Sequence, residues 1–487
     1  MSIKPRQELR EYQQKMKQAT FTFFTNPNNK RLMVVSPTGT GKTTFFSSMV
    51  EDHVRCGERV LLTVHRIELV DQIVERLGQF GIASGVIAAG YPEAYEHPVQ
   101  VGMVQSGERL RNAQPDWIYV DECHHSTAGS YQKLLTMFPE SKLVGVTATP
   151  VRLDGKGFDD TYQQMINLYP IDYFFSNGFL VPPRHYFCAN IKIEDLKETG
   201  LGDYDIAAMA KHMMQSKLIA NVVESYRKYA SGRKAVVFAC NVEHSKSLAN
   251  QFNELGIPAA HLDGQMDKTE RKGIIRRYRK GELLVLTNYD IISEGFDVPD
   301  IEAVILARRT KSLSNYVQSV GRCLRPDKAN GKTHGIVLDC VGQWLEHGFA
   351  GINYNWTLSG DLDEIIEPVL KTRLFKREGR KTKAVLELPE ELLDVELIQL
   401  TEEMKRLASF ETFLHKYSSR GGRFGETGYQ KLTNEQVLKA LDDYSDFLTL
   451  QGIELLHVEQ EYLISRLAQY NIILPNAFWN IRFKIAV

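Results

Sequence analysis

The sequence predicts an α/β protein: two tandem parallel sheets with helices on both faces, followed by a mainly helical C-terminal region. Three observations lead there. Short apolar runs alternate with helix-length stretches as far as residue 340, the pattern of parallel strands covered by helices. The runs fall into two groups, 32–35, 60–64, 101–104, 118–120 and 143–146, then 235–239, 259–262, 283–286, 303–307 and 335–338. After Asp339 the strand alternation stops.

The first group belongs to a domain over 1–181. Between the groups lies 151–183, with Asp154-Gly155-Lys156-Gly157 early and Pro182-Pro183 at its end, rich in chain breakers, so the boundary falls near Pro182. The second domain covers 182–348 and a connecting segment covers 349–386. Within that segment, Lys371 to Lys383 holds seven Lys or Arg against the single acid Glu378. Such a charge run reads equally as a solvated hinge or as a contact for a nucleic-acid strand. The stretch 387–403 reverses sign, with seven acids and no base. Leu393, Leu397, Leu400, Met404 and Leu407 recur there at helical spacing, which predicts an amphipathic helix opening a helical domain over 387–487.

Composition bounds the function only loosely. The chain has 487 residues, 43% of them hydrophobic, enough for two or three domains with proper cores. No run of eighteen apolar residues occurs and Met1 to Gln18 is polar, so neither a membrane span nor a secretory signal is expected, and the cytoplasm is the default location. Six cysteines without a Cys-x-x-Cys pair argue against a disulfide framework or a compact zinc site. The net charge of −1 gives no global attraction to polyanions, so a nucleic-acid surface has to be local.

The chemistry begins after the first strand. Ser36-Pro37-Thr38-Gly39-Thr40-Gly41-Lys42-Thr43, continued by Thr44, is a P-loop whose general pattern starts with Gly where Ser36 stands. Small residues let successive backbone N–H groups curl round a phosphate at the positive end of the following helix. Lys42 would reach the β- and γ-phosphates of ATP, and the Thr43 hydroxyl would bind Mg²⁺. The fourth run, Trp117-Ile118-Tyr119-Val120, ends in Asp121-Glu122-Cys123-His124-His125. Carboxylates at the carboxyl end of a buried strand lie where ligands bind in an open α/β sheet. Asp121 would hold Mg²⁺, and Glu122 would orient or deprotonate the attacking water. Alone, Asp-Glu after a strand is a common loop start; after a P-loop it pairs with it.

These two motifs resemble those of superfamily 2 helicases, in the DEAH-box branch whose second motif reads Asp-Glu-x-His. Further matches follow in order over roughly residues 5–345. Leu9-Arg10-Glu11-Tyr12-Gln13 resembles the adenine-reading segment, with Gln13 on the base. His65-Arg66-Ile67-Glu68-Leu69 and Val104-Gln105-Ser106 resemble segments that track a nucleic-acid backbone, and Thr147-Ala148-Thr149-Pro150 resembles the coupling motif. In the second half, Val237-Phe238-Ala239, His261-Leu262-Asp263-Gly264, Thr287-Asn288 and Glu294-Gly295-Phe296-Asp297-Val298-Pro299 are similar to further elements. Gln318-Ser319-Val320-Gly321-Arg322-Cys323-Leu324-Arg325 resembles the arginine-finger motif.

The resemblance implies two RecA-like domains and strand contacts at Arg66, Gln105, Thr149, Asn241, Gly264 and Thr287. It also implies a ribose contact at Asp297, backbone approach to the γ-phosphate at Gly295, and catalysis by Gln318, Arg322 and Arg325. By spacing alone, Arg322 and Arg325 share one face if helical, which suits two guanidinium groups on one phosphate but equally a solvated surface. Gly295 and Asp297 also make good loop chemistry. Within the superfamily the chain most resembles the bacterial RadD-type DNA repair helicases, without their Cys-rich zinc segment. The expected function is a nucleic-acid-stimulated ATPase that translocates along or unwinds DNA, with little sequence preference and DNA favoured over RNA. The alternative is an ATP-gated clamp, remodeller or motor subunit of a larger repair or defence assembly. A protein partner would engage the C-terminal domain.

Overall fold

A computed structural model describes residues 8–126, 129–188, 203–214, 216–289, 300–327 and 329–360, and beyond these only short pieces, among them a helix at Asn434–Leu450. The first sheet holds β1 (Arg31–Val35), β2 (Val60–Val64), β3 (Ser84–Ile87), β4 (Val99–Met103), β5 (Trp117–Asp121), β6 (Lys142–Thr147) and β7 (Gln164–Ile166). Their order is β3-β4-β2-β5-β6-β1-β7 and every neighbouring pair is parallel. The second sheet holds β8 (Pro183–Cys188), β9 (Ala235–Phe238), β10 (Ala259–Leu262), β11 (Val285–Asn288), β12 (Ala303–Leu306) and β13 (Gly335–Asp339), in the order β10-β11-β9-β12-β13-β8. Two RecA-like parallel-sheet domains are therefore present, as the alternation of runs predicts.

Central strands such as β2, β9, β12 and β13 are buried along their whole length. A parallel sheet covered on both faces demands this, and it explains why these strands read as nearly continuous apolar runs rather than as alternation. The flanking helices are α1 (Glu11–Phe23), α2 (Lys42–Arg55), α3 (Ile67–Gln79), α4 (Gly129–Met137), α5 (Ile171–Ser176), α6 (Ile206–Met213), α7 (Ser216–Tyr229), α8 (Val242–Glu254), α9 (Lys268–Arg279) and α10 (Leu313–Gly321). Among the described residues, no helix is long and apolar enough to cross a membrane and no disulfide is formed.

After the second sheet the chain turns back to the first domain. The Phe158 N–H donates to the Leu358 carbonyl at 2.7 Å, and the Asn353 amide bonds the Asp172 carboxylate. Trp356 and Leu358 pack on the core formed by Ile118, Val120, Tyr131 and Phe158.

Both sheets, apart from the end of β8, lie in one compact unit with 349–360. A second unit contains Tyr186–Cys188, which pairs antiparallel with Leu397–Gln399, and Trp344, whose ring lies 5.1 Å from Phe187. That strand corrects the helical reading at 397–399, while the rest of 387–403 lies outside the described residues. Leu397-Ile398-Gln399 finds a ladder of backbone partners in Tyr186–Cys188, and pairing of this kind overrides a helical spacing of leucines. In the basic run, Lys376–Arg377 pairs with Ala384–Val385; most of that run lies outside the described residues.

Candidate ATP site and nucleic-acid edge

The P-loop is shaped by glycine. Gly39 and Gly41 hold φ of +86° and +82°, a region that side-chain-bearing residues avoid, and Gly41 then launches α2 at Lys42. The loop is braced internally by Ser36 Oγ on Thr40 Oγ1 at 2.7 Å and by the Thr40 hydroxyl donating to the Pro37 carbonyl at 2.7 Å. Ser36, where the general pattern has Gly, thus serves as a brace. From α1, the Tyr12 hydroxyl and the Gln13 amide donate to the Thr40 carbonyl, and Gln13 also to that of Gly41. The Gln13 carbonyl oxygen accepts from the Arg10 N–H at 3.0 Å, so both ends of the side chain expected on the base are committed to protein here. Thr44 is buried behind the loop, while Thr38 and Thr43 are half-buried.

Glu122 stands at the centre of the site. It follows β5 with φ +48° and ψ +55°, one of two non-glycine residues at positive φ among the described residues. The Lys42 Nζ lies 3.7 Å from its Oε1, and its Oε2 accepts from the Gln318 amide at 3.4 Å. Asp121 Oδ1 accepts from the Glu122 N–H at 3.0 Å. The carboxylate of Asp121 and the hydroxyl of Thr43 offer the oxygen donors that a hard cation such as Mg²⁺ takes. That ion would neutralise phosphate charge when bound.

Gln318 arrives from the second domain, and so do other groups. Gly321 ends α10 directly on the P-loop, where a Cβ would meet Thr38 Cβ at 2.7 Å. The stem of Arg325 covers Gly39, where a Cβ would meet its Cγ at 2.9 Å. Arg322 is buried at the cap of α10. The helix stops at Gly321, and the N–H groups of Arg322, Cys323 and Leu324 each bond three residues back, tight turns that bring Arg325 to the phosphate loop. Gly295 and Asp297 lie outside the described residues.

The residues assigned to strand contact gather at the carboxyl ends of both sheets but differ in access. Gln105 and Gly264 are exposed, and Arg66 and Asn241 are half-buried, Asn241 capping α8 by accepting from the His244 N–H at 2.7 Å. Thr149 and Thr287 are buried. The Thr149 hydroxyl meets Ser314 Oγ across the domains at 2.7 Å, and that of Thr287 donates to the Ser245 carbonyl at 2.7 Å. Sequence reading missed Tyr12 as a P-loop brace and Ser314 as the partner of Thr149. Neither has a local signal, because each acts on a residue 28 or more positions away.

Comparison with known proteins agrees with this geometry. The family model described as type III restriction enzyme, res subunit, matches residues 6–152, and the helicase conserved C-terminal domain matches 214–327. A 51.5 kDa protein of a Lactococcus phage is 35% identical over 66% of this chain and 68% of its own length. The irc3 protein of Schizosaccharomyces pombe is 31% identical over 68% of this chain and 57% of its own length, and the DNA 3'-5' translocase XPB2 of Sulfurisphaera tokodaii is 25% identical over 66% and 80%. The fold matches a fragment of an HsdR-type subunit of a type I restriction enzyme from Vibrio vulnificus, with a TM-score of 0.57 at 22% identity over 71% of this chain and 68% of the other. With a P-loop, an Asp-Glu pair and second-domain groups assembled on one site, and with these matches, the chain belongs to the superfamily 2 helicases and is an ATP-hydrolysing enzyme of that type.

Proposed function

We propose that this chain couples ATP hydrolysis, supported by Mg²⁺, to movement along or opening of DNA. One observation carries the reading: Glu122 is held by Lys42 from the P-loop and by Gln318 from the second domain, so the hydrolytic carboxylate senses both halves of the cleft. Hydrolysis follows from this chain's groups in order. Backbone N–H groups of 39–43 and Lys42 cradle the phosphates, Glu122 orients the attacking water and takes its proton, and Arg325 stabilises charge on the transferring phosphoryl group.

A strand contacts phosphates at the carboxyl edges through Arg66, Gln105, Asn241 and Gly264, with the buried Thr149 and Thr287 shaping that edge from beneath. Local charge supports this reading despite a net charge of −1. Along α9 and its cap, which run from the carboxyl end of β10 back to the amino edge beside Lys234, the exposed Lys272, Arg276 and Lys280 stand at intervals of four, a stripe whose first member lies nearest the strand edge.

DNA is preferred over RNA on the likeness to a DNA 3'-5' translocase and to restriction-enzyme subunits, with RNA helicases also among the relatives, and the C-terminal region is assigned to a protein partner. The restriction-subunit likeness favours a second reading, a motor that acts within a larger assembly without separating strands. ATPase assays with single-stranded, duplex and forked DNA and with RNA decide the substrate, and a strand-displacement assay separates unwinding from translocation. Turnover that no nucleic acid raises would overturn the proposal.

A further inference from the structure

The second motif continues into an additional histidine. His124 Nδ1 lies 3.1 Å from Thr147 Oγ1 and 3.4 Å from Glu122 Oε2, so its ring is tied to the hydrolytic carboxylate. The ring of His125 lies 4.2 Å from that of His124 and 4.5 Å from that of His65, tilted by 42° and 50°. His65 follows the end of β2, and its carbonyl accepts from the side-chain amide of the exposed Gln105, at the end of β4, at 3.1 Å. On the other side, Thr147 Oγ1 accepts from the Thr149 N–H at 3.1 Å, and Thr149 reaches Ser314 of the second domain.

These contacts follow the order of the sheet. Strands β4, β2, β5 and β6 are consecutive neighbours, and at their carboxyl ends stand Gln105, His65, the His124–His125 pair and Thr147 in the same order. Adjacent strands are about 4.8 Å apart, a gap that one imidazole ring spans, so a ring at each step makes a continuous row. His125 is the step between β5, which carries the catalytic carboxylates, and β2, which leads into Arg66. Removing its ring opens a gap in the row between His124 and His65, and the ATP-side and strand-side ends would then move separately.

We propose that His125 is a positioning residue that holds His65, and with it the Arg66–Gln105 edge, in register with the state of the ATP site. The inference rests on the proposed function and assigns its coupling to a particular side chain. A row of packed groups transmits a bias only if its members are energetically coupled, which a double-mutant cycle measures directly.

The test uses the full chain carrying His125→Ala, His125→Phe, His65→Ala and the double variant, each checked by thermal melting. ATP turnover is titrated with single-stranded DNA. For His125→Ala, turnover without DNA and the KM for ATP should stay near wild type, while the DNA concentration for half-stimulation rises about 2- to 30-fold, the range over which an intervening residue changes coupling. His125→Phe, which keeps a ring in the row, should recover most of that loss. The effects of His125→Ala and His65→Ala should be non-additive. Wild-type half-stimulation in His125→Ala, equal loss of turnover with and without DNA, no recovery in His125→Phe or additive effects would each overturn the inference and leave the proposed function standing. A wild-type chain whose turnover DNA does not raise would overturn both.

Discussion

A non-glycine residue at φ +48° costs on the order of 1–3 kcal/mol and persists only where its surroundings over-determine it, and at Glu122 the groups that do so are visible. Lys42 and Gln318 hold its two oxygens, and the Asp121 carboxylate caps its own N–H. Glu122→Gln should therefore bind ATP with near wild-type affinity and turn it over at least about a hundredfold more slowly, the contribution of a positioned general base. A nucleotide-binding measurement beside a turnover assay checks this, and loss of binding would mean that the roles are wrong. Gly321 makes a second prediction. A methyl group there would sit 2.7 Å from Thr38 Cβ, so Gly321→Ala must shift α10 or the P-loop by a fraction of an ångström, and turnover should fall by about tenfold to a hundredfold. Lys42 and Glu122 were legible in the sequence because phosphate chemistry prescribes those residue types after a strand, whereas Gln318 was legible only through the resemblance to the arginine-finger motif. The commitment of Gln13 to P-loop carbonyls was not legible, since a hydrogen bond across 27 residues leaves no trace in spacing.

Elements were legible where burial made them uniform. All ten apolar runs fall on strands, whereas β3, β7 and β8 were missed. Ser84-Gly85 and the exposed Gln164 belong to short strands at or beside sheet edges, where the apolar pattern weakens. Helix α9 shows what charge adds to an element. Like charges at intervals of four disfavour a helix slightly, so the Lys272, Arg276 and Lys280 stripe is better placed against phosphate than against water. Reversing all three to Glu should weaken duplex DNA binding for every sequence alike. It should also lower the slope of log affinity against log salt by about 0.9 for each phosphate that the helix no longer neutralises, as read by fluorescence anisotropy over a salt series.

Another element-scale prediction concerns α8. His244 is fully buried and its Nδ1 accepts from the Cys240 N–H, and burial lowers its pKa from 6.5 to about 4. The unfolded chain takes up this proton first, so the stability contributed by neutral His244 is whole above about pH 6.5. It is lost as pH falls towards 4, by about 3 kcal/mol in all. Denaturant melts of the second domain's signal between pH 7 and 4, with His244→Asn as the non-titrating comparison, would show a flatter profile in the variant.

At the scale of the molecule, the ATP site is complete only when groups from both sheets meet, because Gln318, Gly321 and Arg325 approach a loop of the other domain. ATP and a strand lying across both carboxyl edges should therefore bind with positive coupling. Arg325→Ala should leave nucleotide binding to the first domain nearly intact and remove most strand-stimulated turnover, by about 10³-fold or more, as arginine fingers do in nucleotide hydrolases. Stimulated turnover at the wild-type rate would sink the cleft mechanism. This division of labour was legible from the order of motifs along the chain. The return of 349–360 to the first domain was not, since Asn353, Trp356 and Leu358 announce no partner in sequence.

That return changes the statistics of closure. A pair of domains joined by one linker explores a wide volume when apart, and its halves re-encounter each other at an effective concentration set by linker length. Here the backbone passes between the domains twice, once near Pro182 and again before Asn353, where Phe158–Leu358 and Asp172–Asn353 fasten the second passage. Two anchored passages define an axis rather than a tether. Relative motion of the two domains is thereby expected to favour rotation about that line over free diffusion.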